Sequence, residues 1–367
     1  MGIREGALEN LEMTVRRPDA EFWRGKRVFV TGHSGFKGGW LCLVLERLGA
    51  EWSGLSLQPE MHPNLFELVA IHQRGGHSFA DIRDAHLVGH TLADFCPEIV
   101  FHLAAQPLVR RSHRDPLETF STNVNGTAHV LEAARLCDSV KAVVIVTTDK
   151  VYRNNETGAA FSEDDPLGGH DPYSASKAAA EMVVQSYRQS FFTHLGKGLA
   201  AARAGNVIGG GDWSEDRILP DAVRAWSSGE TLEVRNPAST RPWQHVLEPV
   251  CGYLCLAEAI YKNPASATDF NFGPEPEDVA TVREVVEIAQ AAFGRGDVAW
   301  GVKRDLLHEA NALALDNSKA KALLGIRPVW DLKEAVTRTM SWYRRQADGE
   351  NARILCEQDI EAFFQAT

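Results

Sequence analysis

Short apolar runs alternate with amphipathic stretches over the first 208 residues, and this alternation predicts a series of β–α–β units. The apolar runs predict six strands, at residues 26–32, 51–57, 77–82, 98–105, 141–148 and 198–207. Helical periodicity between them predicts helices at residues 38–49, 85–96, 116–137 and 171–192. This order is typical of an α/β fold, a doubly wound parallel sheet with helices on both faces.

The pattern changes after about residue 208, where segments rich in glycine and proline separate the apolar stretches. Helices are predicted near residues 216–228, 245–262, 280–293 and 331–346. Long irregular connections of this kind commonly form binding surfaces on a rigid scaffold. The sequence therefore predicts an extension at 1–22, a doubly wound domain at 23–208, and a smaller lobe at 209–367. We expect the lobe mainly to bind the substrate and to return some segments to the first domain.

Composition argues against some classes of function. With a net charge of −11, the chain is not expected to bind nucleic acid or anionic membranes in a general way. No apolar run approaches the length of a membrane span, and residues 1–22 lack the apolar core of a signal peptide. The six cysteines are scattered, and the thirteen histidines form no spaced metal-binding cluster. We therefore expect a cytoplasmic protein with reduced thiols and no bound metal.

A glycine-rich segment, TGHSGFKGGW, joins the first predicted strand to the first helix. Gly32, Gly35 and Gly38 are spaced three apart, which lets the backbone turn sharply and approach a ligand closely. The helix that follows offers free N–H groups and the positive end of its dipole to a pyrophosphate. At the first strand–helix junction of a β–α–β chain, this arrangement predicts a Rossmann-type dinucleotide site.

The end of the second strand does not decide between the two common dinucleotides. NAD sites usually place an acidic residue there for the ribose hydroxyl, but this chain has Ser56. No Arg or Lys follows that would bind a 2′-phosphate, so the residues do not favour NADP either.

Two further motifs carry candidate catalytic groups. YSASK places Tyr173 and Lys177 one helical turn apart on one face. Tyrosine is a poor base at its ordinary pKa of about 10, and we expect the neighbouring ammonium to lower that pKa. VTTDKVY ends a buried strand with Thr148, Asp149 and Lys150, three polar groups that packing does not require. At this strand tip the Thr148 hydroxyl can share a substrate oxygen with Tyr173.

These motifs occur in the order of a known family. The segments TGHSGFKG, FHLAAQ, TNVNGT, YSASK and RAGNVIGGGDW resemble those of the extended short-chain dehydrogenases/reductases that act on nucleotide sugars. From about residue 22 onward the chain resembles the sugar-nucleotide 4,6-dehydratases of that family. The resemblance implies an NAD cofactor, a nucleotide-sugar substrate and a role in making a deoxysugar of a surface polysaccharide. It also implies a homodimer formed through helices 116–137 and 173–192, with a tetramer as the alternative.

The resemblance assigns roles to individual residues. The implied catalytic set is Thr148, Asp149, Lys150, Tyr173 and Lys177. The implied NAD-binding residues are Gly32, His33, Ser34, Gly35, Phe36, Lys37, Gly38, Ser56, Asp81, Ile82, Leu103, Ala104, Ala105, Gln106, Asn123, Thr147, Tyr173 and Lys177. The implied substrate-binding residues are Gln106, Arg110, Asn206, Arg217, Arg241 and His308. We expect Asn206 and Arg241 at the substrate phosphates and Lys37 at a phosphate or ribose.

One position departs from the common family pattern. Most 4,6-dehydratases carry Thr-Asp-Glu at the strand tip, whereas this chain has Lys150 in the place of the Glu. The branch of the family that acts on CDP-glucose is similar in carrying Lys there, so the resemblance implies this substrate. In the implied mechanism Tyr173 takes the proton of the sugar 4-hydroxyl, Lys150 removes the C5 proton and Asp149 protonates the departing 6-hydroxyl. Such roles require a neutral Lys150 and a protonated Asp149, and the two titrations are coupled.

Three alternatives stay open at the level of the sequence. A nucleotide-sugar 4-epimerase would need Thr148, Tyr173 and Lys177 but would leave Asp149 and Lys150 without a task. A 4,6-dehydratase for a dTDP-, UDP- or GDP-linked sugar would use the same residues, because no short motif identifies cytosine. A catalytically silent NAD-binding protein would need none of the catalytic set.

Overall fold

The computed structural model describes residues 15–156, 158–302 and 312–366. Within these residues the strands are β1 (Arg27–Thr31), β2 (Glu51–Ser56), β3 (Gly76–Phe79), β4 (Ile99–His102), β5 (Ala142–Val146), β6 (Gly198–Ala204), β7 (Asn206–Ile208), β8 (Thr231–Val234), β9 (Thr240–Arg241), β10 (Trp243–His245), β11 (Phe270–Phe272), β12 (Ala280–Thr281) and β13 (Asp297–Trp300). The α-helices are α1 (Ala20–Trp23), α2 (Phe36–Arg47), α3 (Leu65–Leu68), α4 (Ala85–Phe95), α5 (Val109–Arg114), α6 (Pro116–Phe120), α7 (Gly126–Leu136), α8 (Pro172–Tyr187), α9 (Ile218–Ser228), α10 (Leu247–Lys262), α11 (Val282–Phe293), α12 (Ser318–Leu324), α13 (Leu332–Ala347) and α14 (Ala352–Gln365).

Seven strands form one parallel sheet in the order β11–β6–β5–β4–β1–β2–β3. The predicted α/β fold with a doubly wound parallel sheet is confirmed. The strand order reverses between β1 and β4, and a ligand crevice opens at such a point, beside the carboxyl ends of the strands. A seventh strand, β11, comes from the part of the chain beyond residue 208 and lengthens the sheet beside β6.

Two apolar layers cover the two faces of this sheet. Successive strand residues point to opposite faces, so Val28 and Val30 pack into one buried cluster and Phe29 packs into the other. The first cluster contains side chains from α2, α10 and α14, and the second contains side chains from α4, α7 and α8. Burial on both faces explains why the strands are almost continuously apolar in the sequence.

Three predicted elements are divided in the structure, among them the helix predicted at 171–192, in which the π turn Arg188–Phe192 follows α8. The helix predicted at 116–137 is a helical run in which the π turn Ser121–Asn125 separates α6 from α7. The strand predicted at 198–207 breaks at Gly205 into β6, in the central sheet, and β7, which pairs with β10. A Cβ at Gly205 would lie 2.4 Å from Cγ of Pro242, so the break brings the chain against the 240–245 segment.

Beyond β6 the chain also forms short strand pairings outside the central sheet. They are β7 with β10, β9 with β12 and β8 with β13. Helix α11 begins with a capping box in which Thr281 and Glu284 satisfy each other's backbone N–H groups. No helix among the described residues is long and apolar enough to span a bilayer.

The described part of the N-terminal extension packs onto the C-terminal half of the chain. Glu258, which is 1% exposed, accepts hydrogen bonds from Arg16 (2.8 Å), the Asp19 backbone N–H (2.8 Å) and the Trp23 indole (2.7 Å). The Arg17 guanidinium donates to the carbonyls of Phe363 and Ala366. Residues 16–23 are therefore attached to the rest of the fold.

Candidate active site

The carboxyl ends of β1, β4 and β5 border a cavity of about 460 Å³, which we call the loop cavity because the glycine loop forms one wall. Gly32 has a φ of +79°, and a Cβ there would lie 2.6 Å from the backbone N of Ala104. A Cβ at Gly38 would lie 2.1 Å from the carbonyl oxygen of Gly32. These two glycines therefore let the loop pack tightly against the end of β4 and against itself.

Most of the residues predicted to bind the cofactor line the loop cavity. They are Gly32, Ser34, Gly35, Phe36, Lys37, Gly38, Ser56, Asp81, Ile82, Leu103, Ala104, Ala105, Gln106, Thr147, Tyr173 and Lys177. Two predicted residues, His33 and Asn123, lie behind the wall. Asn123 is 1% exposed and joins the backbone of Gln106 to the hydroxyl of Ser176, so it positions the wall.

His33 is fully buried beside the end of β2. Its ring fills the space over Gly54, where a Cβ would lie 2.3 Å from Cγ of the imidazole. The Ser56 hydroxyl lies 3.1 Å from Nδ1 of His33. Burial lowers the pKa of His33 to about 4, with His77 acting in the same direction. A neutral imidazole therefore contacts Ser56 at the end of β2, the position where NAD sites commonly carry an acidic residue.

The tip of β5 carries a short turn with the candidate acid and base. Thr148 caps the 3₁₀ turn Asp149–Val151, and its hydroxyl donates to Oδ1 of Asp149 at 2.9 Å. The Lys150 backbone N–H donates back to the Thr148 hydroxyl at 3.3 Å. Asp149 is 2% exposed, and its Oδ2 has no hydrogen-bond partner within the described residues.

Burial shifts both members of this pair toward their neutral forms. It raises the pKa of Asp149, against the opposing effect of Lys150. It lowers the pKa of Lys150, against the opposing effect of Asp149, while Arg241 lowers it further. Removal from water penalises each charged form, and this effect is the largest in both cases. A neutral lysine and a protonated carboxyl are the forms that the implied base and acid require.

Helix α8 presents the other two catalytic candidates. Asp171 caps the helix by accepting from the Ser174 backbone N–H at 3.0 Å. Tyr173 and Lys177 are buried on the face that meets the tip of β5, and Nζ of Lys177 donates to the Val146 carbonyl at 3.0 Å. Helix and strand tip thus bring Thr148, Tyr173 and Lys177 together.

The expected direction of the Tyr173 pKa is wrong. Burial raises the pKa of Tyr173 to about 12, and the hydrogen bond with Thr148 opposes this only in part. Burial also lowers the pKa of Lys177 to about 8, so this ammonium is itself costly to keep charged. The sequence shows the one-turn spacing of the two groups but does not show how completely both are removed from water.

Lys37 is half-buried in the first turn of α2. Burial lowers its pKa to about 7, with Arg217 and Lys177 lowering it further and Asp149 opposing them. Its electrostatic neighbours place it beside the catalytic groups as well as on the wall of the loop cavity. The spacing of the glycines does not predict that Lys37 also lies near the catalytic candidates.

A second cavity has a volume of about 750 Å³, and we call it the lobe cavity because most of its lining residues come from the segment predicted as the smaller lobe. Lys150, Asn206 and Arg217 line both cavities, so the two spaces adjoin beside the Asp149–Val151 turn, which we call the catalytic turn because it carries the candidate acid and base. Of the predicted substrate residues, Arg110, Asn206, Arg217 and Arg241 line the lobe cavity, Gln106 lines the loop cavity, and His308 lies outside the described residues.

Carboxylates balance the arginines of the lobe cavity. Nε of Arg110 lies 3.4 Å from Asp216, and Nε of Arg217 lies 3.7 Å from Asp212. Four guanidinium groups, those of Arg110, Arg217, Arg235 and Arg241, line this one concave space together with carboxylates. Guanidinium forks suit the oxygens of phosphate groups.

The fold and the two cavities are typical of a class of enzymes, the Rossmann-type oxidoreductases. This chain adds a candidate acid, Asp149, and a candidate base, Lys150, at the tip of β5. A family model described as GDP-mannose 4,6 dehydratase matches residues 29–339. The chain therefore belongs to this family of sugar-nucleotide dehydratases within the extended short-chain dehydrogenases/reductases.

The chain is also similar to individual proteins. The chain is 45% identical over 356 residues to a CDP-glucose 4,6-dehydratase of Salmonella typhimurium, which covers 95% of this chain and 99% of the relative. It is 30% identical to a UDP-glucose 4-epimerase of Mycolicibacterium smegmatis, over 88% of this chain and 99% of that relative. Among solved structures, a double mutant of DesIV, a dTDP-glucose 4,6-dehydratase of Streptomyces venezuelae with NAD and DAU bound, superposes with a TM-score of 0.76. That structure is 26% identical and covers 88% of this chain and 98% of its own.

Proposed function

We propose that the protein is an NAD-dependent CDP-glucose 4,6-dehydratase, which converts CDP-D-glucose to CDP-4-dehydro-6-deoxy-D-glucose. One observation carries the proposal. The buried Asp149 and the half-buried Lys150 lie side by side on one turn, next to Thr148 and Tyr173, where the two cavities share lining residues. The 45% identity to the CDP-glucose 4,6-dehydratase of Salmonella supports the same substrate.

The loop cavity fits NAD. Gly32 and Gly38 have no room for a Cβ, and Gly35 caps the N-terminus of α2, where backbone N–H groups and the helix dipole favour a pyrophosphate. Ala104 and Ala105 keep the wall above β4 shallow, and Lys177 reaches the same cavity. When bound there, NAD supplies the removal of a hydride from C4 of the sugar and its return to C6.

The residues of the chain divide the proton transfers among them. Tyr173, which is hydrogen-bonded to Thr148, takes the proton of the 4-hydroxyl in its phenolate form as C4 becomes a ketone. The ketone acidifies the C5 proton, which passes to the neutral amine of Lys150. Asp149 gives its proton to the 6-hydroxyl, which leaves as water. Hydride then adds at C6 and a proton at C5, so one water is lost without net oxidation.

The acid and base distinguish this proposal from a 4-epimerase. An epimerase has to remove and return a hydride at C4 but breaks no bond at C5 or C6, so it gains nothing from Asp149 and Lys150. Holding a carboxyl at 2% exposure without a full set of hydrogen bonds costs stability, and such a cost is typical of functional sites.

The proposal is tested by incubating the purified protein with NAD⁺ and CDP-glucose and recording the mass of the nucleotide sugar. We expect the loss of one water from CDP-glucose and none from dTDP-, UDP- or GDP-glucose measured alongside. Turnover of another nucleotide sugar instead would contradict the CDP assignment. Inversion at C4 without loss of mass would support the epimerase.

We further propose that the enzyme acts in the cytoplasm as a homodimer and supplies a deoxysugar for a surface polysaccharide. Apolar side chains that are unusually exposed support the dimer, since Leu117 (81%), Leu136 (65%) and Met182 (58%) lie on α6, α7 and α8. The described cysteines are free thiols, which agrees with a reducing compartment.

A further inference from the structure

A fully buried ion pair lies directly behind the catalytic turn. Glu181 is 0% exposed and Arg203 is 1% exposed, and Nε of Arg203 donates to both carboxylate oxygens, at 2.9 and 3.0 Å. Glu181 follows Lys177 by one turn of α8, on the same face. Arg203 comes from β6, the strand beside β5 in the central sheet. The pair therefore joins the helix of Tyr173 to the sheet.

Each member of the pair also holds one end of the catalytic turn. The Thr147 hydroxyl, just before the turn, donates to Oε1 of Glu181 at 2.6 Å. Nη1 of Arg203 donates at 2.6 Å to the hydroxyl of Tyr152, just after the turn, and its guanidinium lies 4.9 Å from the centre of the same ring. The four residues from Thr148 to Val151 are thus fastened at both ends to one ion pair.

Further contacts fix the Tyr152 side of this arrangement. The Tyr152 hydroxyl donates to Oδ1 of Asn271 at 2.7 Å, and Phe161 stacks on its ring with the centres 4.9 Å apart. Asn271 belongs to β11, which extends the central sheet. The hydrogen bonds of Tyr152 therefore connect the end of the catalytic turn to the central sheet.

We propose that Glu181 and Arg203 act as a positioning pair for the dehydration step, holding the 148–151 turn so that Asp149 and Lys150 reach the same substrate together. This inference rests on the proposed dehydratase function. Oxidation at C4 uses Tyr173 and Lys177 on the helix, whereas elimination needs two neighbouring side chains of one short turn. Small displacements of such groups cost much of the rate.

Stability alone does not account for the pair. Removing two charges from water is costly, and apolar residues of the same volume often serve a core equally well. The contacts to Thr147 and Tyr152 give the pair a geometric task that apolar residues would not perform. Glu181 also opposes the lowering of the Lys177 pKa by burial, so it favours the charged amine beside Tyr173.

Each test variant removes one hydrogen bond between the ion pair and a residue flanking the turn, and leaves the charges of Glu181 and Arg203 in place. Tyr152→Phe deletes the phenol oxygen after the turn, and Thr147→Val deletes the hydroxyl before it. Thr147→Ser restores that hydroxyl. Tyr261→Phe is the matched control, because the Tyr261 hydroxyl also accepts from a cation, Lys26 at 3.3 Å, and donates to a side-chain oxygen, that of Glu98 at 2.7 Å, but lines neither cavity.

Elimination and oxidation are measured separately in a single turnover with CDP-glucose and NAD⁺. The mass of the sugar nucleotide reports loss of water, and the near-ultraviolet absorbance of the reduced nicotinamide reports oxidation at C4. In Tyr152→Phe and Thr147→Val we expect elimination to slow about tenfold, with KM within about twofold, so that the reduced nicotinamide accumulates. Tyr261→Phe should behave like the unchanged enzyme, and Thr147→Ser should recover most of the elimination rate that Thr147→Val loses.

Equal slowing of oxidation and elimination would contradict the inference, and so would unchanged elimination in both variants. In either case the unchanged enzyme still loses water from the substrate, and the proposed function stands. If the unchanged enzyme loses no water, the proposed function fails and the inference fails with it. Thermal melting of each variant identifies any change that comes from loss of the fold.

Discussion

Lys150 performs its proposed task only while its amine is neutral. Burial favours this state by lowering the pKa of Lys150, and the cation Arg241 acts in the same direction. The same burial raises the pKa of Asp149, so the neighbouring carboxyl holds the proton that the departing hydroxyl needs. Removal from water thus shifts the pKa values of two adjacent residues in opposite directions, and it favours a neutral base and a protonated acid.

Replacement of this amine should separate the two halves of the reaction. In Lys150→Met we expect the loss of water to slow by about 10²–10⁴, the usual contribution of a positioned base, while oxidation at C4 persists. Mass spectrometry and the absorbance of the reduced nicotinamide measure the two steps. Lys333→Met, at an exposed position of α13, is the control. Water loss within a few-fold of the original rate would exclude Lys150 as the base.

A buried histidine makes stability depend on pH. His102 is 2% exposed between the hydroxyls of Thr31 (2.7 Å) and Thr127 (3.1 Å), and burial lowers its pKa to about 3. The unfolded chain binds a proton here below about pH 6.5, whereas the folded chain does not. The stability that His102 contributes is therefore complete above pH 6.5 and is lost as the pH falls toward 3.

Substitution of His102 should reduce this dependence. At pH 5 the proton bound only by the unfolded chain costs about 2 kcal/mol of unfolding free energy. We expect His102→Asn to be less stable at pH 7 but to lose about 2 kcal/mol less between pH 7 and pH 5, as measured by urea unfolding. His194→Asn, on the exposed surface, is the control. An unchanged pH slope in His102→Asn would contradict the assignment.

At the scale of elements, the glycine loop depends on two kinds of glycine. Gly38 has no space for a side chain, since a Cβ would lie 2.1 Å from the Gly32 carbonyl oxygen. Gly35 has an ordinary φ of −81°, and its Cβ would meet only that same oxygen at 3.4 Å. The first glycine is thus required for the fold of the loop, and the second for access to the loop cavity.

The two positions should respond differently to alanine. Gly38→Ala should lower the melting temperature markedly, because backbone atoms on both sides cannot move apart cheaply. Gly35→Ala should melt close to the original protein yet bind NAD⁺ more weakly, because the added methyl group stands at the N-terminus of α2. Calorimetric melting and titration with NAD⁺ distinguish the two effects. Equal losses of stability would contradict this division.

The sequence predicts the elements that are long and periodic. Strands β1, β4 and β5 are apolar runs buried on both faces, and the YSASK and glycine motifs lie at helix starts, so their positions could be predicted. The break at Gly205 could not, because it depends on Pro242 from a distant segment. The short pairings β8 with β13 and β9 with β12 contain too few residues to show a period.

Site chemistry was predictable where spacing along the chain determines it. The one-turn separation of Tyr173 and Lys177 is a local property of a helix, and so is the adjacency of Asp149 and Lys150. The raised pKa of Tyr173 and the position of Lys37 beside Asp149 depend on burial by segments distant in sequence. A carboxyl at Glu181, one turn beyond Lys177, was visible in the sequence, but its partner Arg203 on β6 was not.

At the scale of the whole molecule, the exposed apolar residues of α6, α7 and α8 bear on assembly. Sedimentation should show a dimer, and Leu136→Glu with Met182→Glu should give a folded monomer, because both side chains are already more than half exposed. Leu323→Glu, at the same 65% exposure as Leu136 but on α12, should leave the dimer intact. A monomeric original protein would contradict the proposed homodimer.

The contact of Arg17 with the carbonyls of Phe363 and Ala366 has a consequence for how the chain can be rearranged. A single side chain spans the gap between the first and last described segments, so a short linker can join them. The turn Asp348–Gly349–Glu350 is exposed and can serve as the new pair of ends. A circular permutant that begins with α14 and joins Ala366 through a short linker to Val15 should therefore keep the buried carboxylate of Glu258 satisfied and retain the fold.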